Sequence, residues 1–134
     1  MTTPKYISKM AYIRNTQMCK DYREIIKERK EVERDILYAS SSAIDGMPHA
    51  TGVGNPTAAK AMALIERKAK LDEKIKAIED ALDMLRDDIE RDVIRRNLFD
   101  KVPMDHINAP MSVSTIQRIR SDFIRMVARN MHEA

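Results

Sequence analysis

Between Ala61 and Ile89 an apolar or long-stemmed residue recurs at alternating steps of three and four: Ala61, Leu64, Lys68, Leu71, Ile75, Ile78, Leu82, Leu85 and Ile89. That period puts the whole series on one side of an α-helix, as a narrow stripe close to a heptad seam. A stripe this narrow buries too little to hold a lone helix in water, so the segment must lie against one or two other helices. Its start is marked by Asn55 as N-cap and Pro56 in the first turn, where the missing N–H would have had no partner anyway. Helix from Pro56 to Arg86 would be about 45 Å long at about 1.5 Å per residue.

The partner lies upstream. Met18, Tyr22, Ile25, Val32 and Ile36 follow the same steps, with Arg29 in the one polar slot, and predict a helix over about 16–39. Between the two, residues 40–55 (SSSAIDGMPHATGVGN) hold all three glycines, Pro48 and three consecutive serines, which reads as a loop. The expectation is an all-α chain: a long antiparallel helical hairpin over 1–86, then a small C-terminal helix-turn-helix over 87–134. The second helix is longer than the first can cover. The seam of Leu64, Leu71, Ile75, Ile78, Leu82 and Leu85 is therefore expected to serve both the hairpin and self-association, as a dimer or higher oligomer. Residues Met1 to Asn15 carry only Tyr6, Met10 and Ile13 and fit a short helix or a frayed arm. At Arg86-Asp87-Asp88 a kink and a continuous helix both fit, since acids favour a helix start.

Composition suits solvated helices: 34% of residues are charged, 4% aromatic, and Trp is absent. The formal net charge of +3 does not by itself announce a nucleic-acid binder. Its distribution is uneven, with eight Lys or Arg against five acids from Arg91 onward, and seven against nine from Asn55 to Glu90. A single cysteine, Cys19, cannot pair within the chain. No secretory signal is evident, and charges interrupt every apolar run, so a soluble cytoplasmic protein without membrane contact is expected. His49, His106 and His132 lack ligand-spaced neighbours, so no metal is expected. The loop glycines fit neither phosphate-binding glycine motif. No nucleophile and base are paired, and neither enzymatic activity nor a cofactor is expected. The methionines, Met47, Met62, Met84, Met104 and Met111 among them, read as filler in thin helical packing.

Function concentrates near the C-terminus. Ile89, Val93, Leu98 and Phe99 carry helix to Asp100, and Pro103 can open a short helix with Met104 and Ile107 inward. Ala109-Pro110 then breaks it, and Ser112 caps a last helix whose inner face is Ile116, Ile119, Phe123 and Met126 or Val127. Its outer face carries Ser114, Gln117, Arg118 and Ser121. These residue types suit major-groove readout, because Arg can bond guanine in two places, Gln can bond adenine in two places, and Ser can pair with several edges. Arg95, Arg96, Lys101, Ser112, Arg120, Arg125 and Arg129 are the expected phosphate contacts, which set register without reading sequence.

The line LFDKVPMDHI…SVSTIQRIRSDFI, Leu98 to Ile124, resembles the helix-turn-helix of sigma factor region four as found in phage transcriptional regulators of the RinA and ArpU type. Ala81 to Leu98 (ALDMLRDDIERDVIRRNL) resembles the run leading into that motif, and Asp45 to Thr57 resembles a loop of the same small phage proteins. In this chain the turn between Ile107 and Ser112 is shorter than the family pattern, with Pro110 where a glycine is expected. The resemblance implies a sequence-specific activator of phage late genes. Double-stranded DNA and a second copy of the chain would be its partners, with host RNA polymerase a further one, in the bacterial cytoplasm. The alternative is a helical adaptor or a small-terminase-like packaging protein, in which the hairpin is the functional surface.

Overall fold

The computed structural model describes residues 7–44 and 56–133, with side chains over 7–39 and 58–133. All regular structure among them is helical: α1 (Lys9–Lys20), α2 (Tyr22–Ile44), α3 (Pro56–Asp83), α4 (Asp88–Ile94) running into a π-turn (Arg95–Phe99), a 3-10 turn (Met104–His106) and α5 (Val113–Asn130). The chain is thus all-α, a helical hairpin followed by C-terminal helices. None of the described helices is long and apolar enough to cross a membrane.

The chain divides into two compact units, Glu24–Glu73 and, from residues 7–23 with 74–133, a second. The expected boundary between 86 and 87 is not where it divides. The reason lies in the seam: Ile78, Leu82 and Leu85 are buried with Ile94, Leu98, Phe99, Ile119, Phe123, Ile124 and Val127. The half of α3 expected to reach past its hairpin partner is consumed inside the second unit and is not left over for self-association.

In the unit Glu24–Glu73, Ile25, Val32 and Leu71 are buried, while Leu64 and Ile36 are half-buried. The polar slots of the two seams, Arg29 and Lys68, converge on one carboxylate. Arg29 Nη1 lies 3.4 Å from Asp72 Oδ1, and Lys68 Nζ donates to Asp72 Oδ2 at 2.8 Å. The Arg67 guanidinium bonds the Glu28 carboxylate. The Lys68 hydrogen bond outweighs partial desolvation and, with the charges of Lys68 and Arg29, holds the Asp72 carboxyl below the usual carboxylate range. A depressed native pKa contributes stability above the unfolded value that is lost as pH falls through the native one. The stability advantage of the wild type over Asp72→Asn, measured by urea unfolding at pH 7, should therefore shrink as pH drops below about 4 and then vanish. An advantage that grew on acidification would contradict this role.

In the second unit, residues 9–20 form a helix rather than an arm, capped by Ser8, whose Oγ accepts from the Ala11 N–H at 3.1 Å. The single helix expected over 16–39 is two. Asn15 Nδ2 and Thr16 Oγ1 donate back to the carbonyls of Ala11 and Tyr12, each at 2.7 Å, a pattern that bends helices. The break follows at Asp21, whose N–H is shared between the carbonyls of Gln17 and Met18. Helix α2 also runs past the expected stop at Ala39 to Ile44. Serine in a helix costs only about half a kcal/mol relative to alanine, so the serines slow the helix without ending it. Asn55 and the rest of the expected loop, 45–55, lie outside the described residues.

Helix α3 ends at Asp83, three residues short of expectation, and α4 restarts with Asp87 as N-cap, its Oδ1 accepting from the Glu90 N–H at 2.9 Å. This break resolves the two alternatives at 86–88 in favour of a kink. It also resets the helical phase, so Ile89, the last residue of the apolar series, is 47% exposed. Arg91 builds the corner. Its Nε and Nη2 donate to the carbonyls of Leu82 and Leu85, each at 3.1 Å, and its Nη1 donates to Asp88 Oδ1 at 2.7 Å. One guanidinium thus adds a second bond to the Leu82 carbonyl, which also accepts from the Leu85 N–H, bonds the Leu85 carbonyl just past α3, and ties α4 to both. Arg91→Ala should cost about 2 kcal/mol in urea unfolding. Arg91→Lys, lacking the planar fork, should recover only part of it, and an unchanged denaturation midpoint would remove Arg91 from this role.

From the end of α4 through the π-turn, Val93, Ile94, Asn97, Leu98 and Phe99 are all buried, more inward residues than one face of a 3.6-residue turn holds. The backbone widens to accommodate them, with the Asp100 N–H bonding the Arg95 carbonyl at 2.9 Å. The Phe99 ring stacks on Tyr22 at 4.3 Å between centroids. Among the methionines expected as filler, Met104 and Met111 are half-buried but Met62 and Met84 are exposed, and Met47 lies outside the described residues.

Candidate nucleic-acid interface

Helix α5 is the most sharply two-faced element of the second unit. Ile116, Ile119, Phe123, Ile124, Val127 and Ala128 are buried on one side. The helix begins at Ser112, whose Oγ accepts from the Thr115 N–H at 3.2 Å, as its sequence position predicts. Its first turn carries no acid, so the partial positive charge of the N-terminus is not neutralised there.

Of the expected base readers, Ser114, Gln117 and Arg118 are exposed on the first turns of α5. Arg118 also borders an open cleft with Met84, Arg86, Glu90, Asp122 and Met126. Ser121 is different. It is half-buried, with its Oγ 3.3 Å from the Tyr12 hydroxyl. Helix α1 covers that flank of α5 through Tyr12, a contact that the weak apolar pattern of Met1 to Asn15 does not announce.

The expected phosphate contacts separate further. Arg120 Nη1 donates to Asn97 Oδ1 at 3.1 Å, and Asn97 Nδ2 donates to the Val102 carbonyl at 2.9 Å. Asn97 is buried, so Arg120 is the strut that satisfies its amide oxygen and fastens the π-turn to α5, not a free phosphate ligand. Ser112 spends its hydroxyl on the cap. Arg96 pairs with Asp92 at 3.0 Å, and Arg125 with Asp122 at 3.5 Å, both exposed enough for a stronger anion to compete. Arg95 borders another cleft, whose walls include Glu79 and Asp83. Lys101 is exposed in a left-handed turn at φ 59°, and Arg129 is exposed on α5. At helical spacing Arg118, Arg125 and Arg129 fall on one stripe, seven and then four residues apart.

The helix expected over 103–107 is a single 3-10 turn, Met104–His106. Pro103 has ψ 145° and Ile107 ψ 118°, both extended, so no longer helix fits between them, and Pro110 follows two residues after Asn108. Helix α5 is therefore preceded by a turn where a full first helix was expected.

Cys19 is fully buried, and burial pushes its thiol up to about 12 against the opposing charge of Arg120. It is a packing residue. The C-terminal tail is pinned by Glu133, whose Oε2 accepts from Asn15 Nδ2 at 2.9 Å and from Arg14 Nη2 at 3.2 Å. His106 and His132 are exposed, and His49 lies outside the described residues. Among the described residues no three His, Cys, Asp or Glu side chains gather as metal ligands would.

The placement of charge gives the site its character. Helix α5 carries four arginines and one aspartate, a net +3, and α1 carries Lys9, Arg14 and Lys20 with no acid, also a net +3. Comparison of the chain with protein-family models, curated proteins and solved structures finds no match.

Proposed function

We propose that the protein is a sequence-specific DNA-binding transcriptional regulator that reads the major groove with the first turns of α5. The observation that carries this reading is that α5, a helix of net charge +3, presents Ser114, Gln117 and Arg118 together on its exposed N-terminal face. Arg and Gln there have the donor and acceptor geometry for guanine and adenine edges, and Ser114 can bond several edges. Arg125 and Arg129 follow along the same stripe as phosphate contacts, with Arg96 and Lys101 outside the helix. Arg120 and Ser121, having internal partners, support the helix and do not read.

The resemblance of Leu98 to Ile124 to phage regulators of the RinA and ArpU type extends the reading to an activator of late genes, acting in a bacterial host cytoplasm with RNA polymerase nearby. Recognition through one short helix is weak at physiological salt, so the working species is a dimer or larger assembly.

The test is a footprint on duplexes selected from a random pool. Replacing Gln117 and Arg118 together by Ala should remove two base contacts worth about 1–3 kcal/mol each, reducing selective affinity by about thirtyfold or more, with helical circular dichroism unchanged. Retained selectivity would overturn the assignment of α5 as reader. If the wild type gave no footprint while still self-associating, the helical adaptor or small-terminase-like packaging role would be favoured.

A further inference from the structure

The hairpin of the unit Glu24–Glu73 has two broad sides, marked by its ion pairs. At about 100° per residue, Arg29 and Asp72 fall on one side, and Glu28 and Arg67 on the other. On the Glu28 side the Arg67 guanidinium and the Glu28 carboxylate bridge the two helices. The Arg29 side is different beyond its central ion pair. There α2 presents Leu37, and α3 presents Met62, Ile65 and Ala69, of which Leu37 is 69%, Met62 61% and Ile65 52% exposed. This apolar strip is bordered by charges of opposite sign. Lys30 and Arg34 form the outer edge on α2, and Glu66 and Glu73 the outer edge on α3. All four are exposed, and none has an ion pair among the described residues.

An apolar strip between a basic edge and an acidic edge is complementary to itself under one rotation only. A two-fold axis along the hairpin lays α2 of one copy over α3 of the other, antiparallel. The strips then meet, and Arg34 and Lys30 come alongside the partner's Glu66 and the partner's Glu73. A two-fold across the hairpin would instead set base on base and acid on acid. We infer that this face binds a second copy of the chain, forming a four-helix arrangement in which each α2 packs on the partner's α3. The surface differs from the seam of Leu64, Leu71, Ile75, Ile78, Leu82 and Leu85 expected to mediate association, whose second half is buried in the other unit, and it does not depend on the DNA reading.

Sedimentation equilibrium of the full chain tests it, with circular dichroism monitoring the fold. The wild type should reach twice the 15.4 kDa chain mass at micromolar concentration. Lys30→Glu with Arg34→Glu, and separately Glu66→Lys with Glu73→Lys, should each weaken association by at least about tenfold through like-charge contact. All four substitutions in one chain restore opposite edges and should return the dimer. A monomeric wild type, or edge variants that remain dimeric, would overturn the inference. So would a fully helical four-site variant that stays monomeric, because it would remove the pairing of α2 with the partner's α3.

Discussion

Phe123, Ile124 and Val127, each at 0% exposure, form the apolar centre on which the larger unit depends. Cys19 of α1, the second half of α3, α4 and the π-turn all contribute side chains to the same cluster. Packing at interior density leaves α5 little freedom to roll or slide without opening cavities. Because its inner face is fixed so completely, its outer face is held in one orientation. The recognition surface proposed for α5 would gain its rigidity from these inward residues.

Polar groups complete what the apolar centre begins. Arg91 closes the end of α3, Arg120 satisfies Asn97 within the π-turn, and Asn15 with Arg14 holds Glu133. Each bond joins a helix end or an irregular turn to a neighbouring element, where the backbone otherwise leaves groups unsatisfied. These arginines and asparagines resemble surface charge in a sequence, yet they are structural. Once they are set aside, the remaining cationic stripe on α5 is narrower and better defined.

The periodic parts of the fold were legible in the sequence. The α3 stripe, Pro56 as its first residue, Ser112 as the cap of α5 and the inward set Ile116, Ile119 and Phe123 follow from spacing and capping chemistry alone. What stayed hidden depended on contacts distant in sequence. Nothing local announces that α1 covers Ser121, or that Arg91 reaches back to carbonyls six and nine residues earlier. The unbroken three-four series through Ile89 also concealed the end of α3, because spacing continues across a kink even when the helix does not. The turn at Met104–His106 was overextended because a proline that can open a helix says nothing about how soon the chain must leave it. Exposure of Gln117 and Arg118 was foreseeable from the helical wheel, whereas the engagement of Arg120 by Asn97 was not.

The proposed reading of DNA by α5 requires a helix held from behind and open at the front. Backbone amide NMR of the full chain, titrated with a duplex enriched from a random pool, tests it most directly. Shifts should concentrate at Ser114, Gln117, Arg118 and Arg125, with the amides of Phe123, Ile124 and Val127 remaining protected from exchange. Shifts confined to α2 and α3, or a pool that never converges on a sequence, would contradict it.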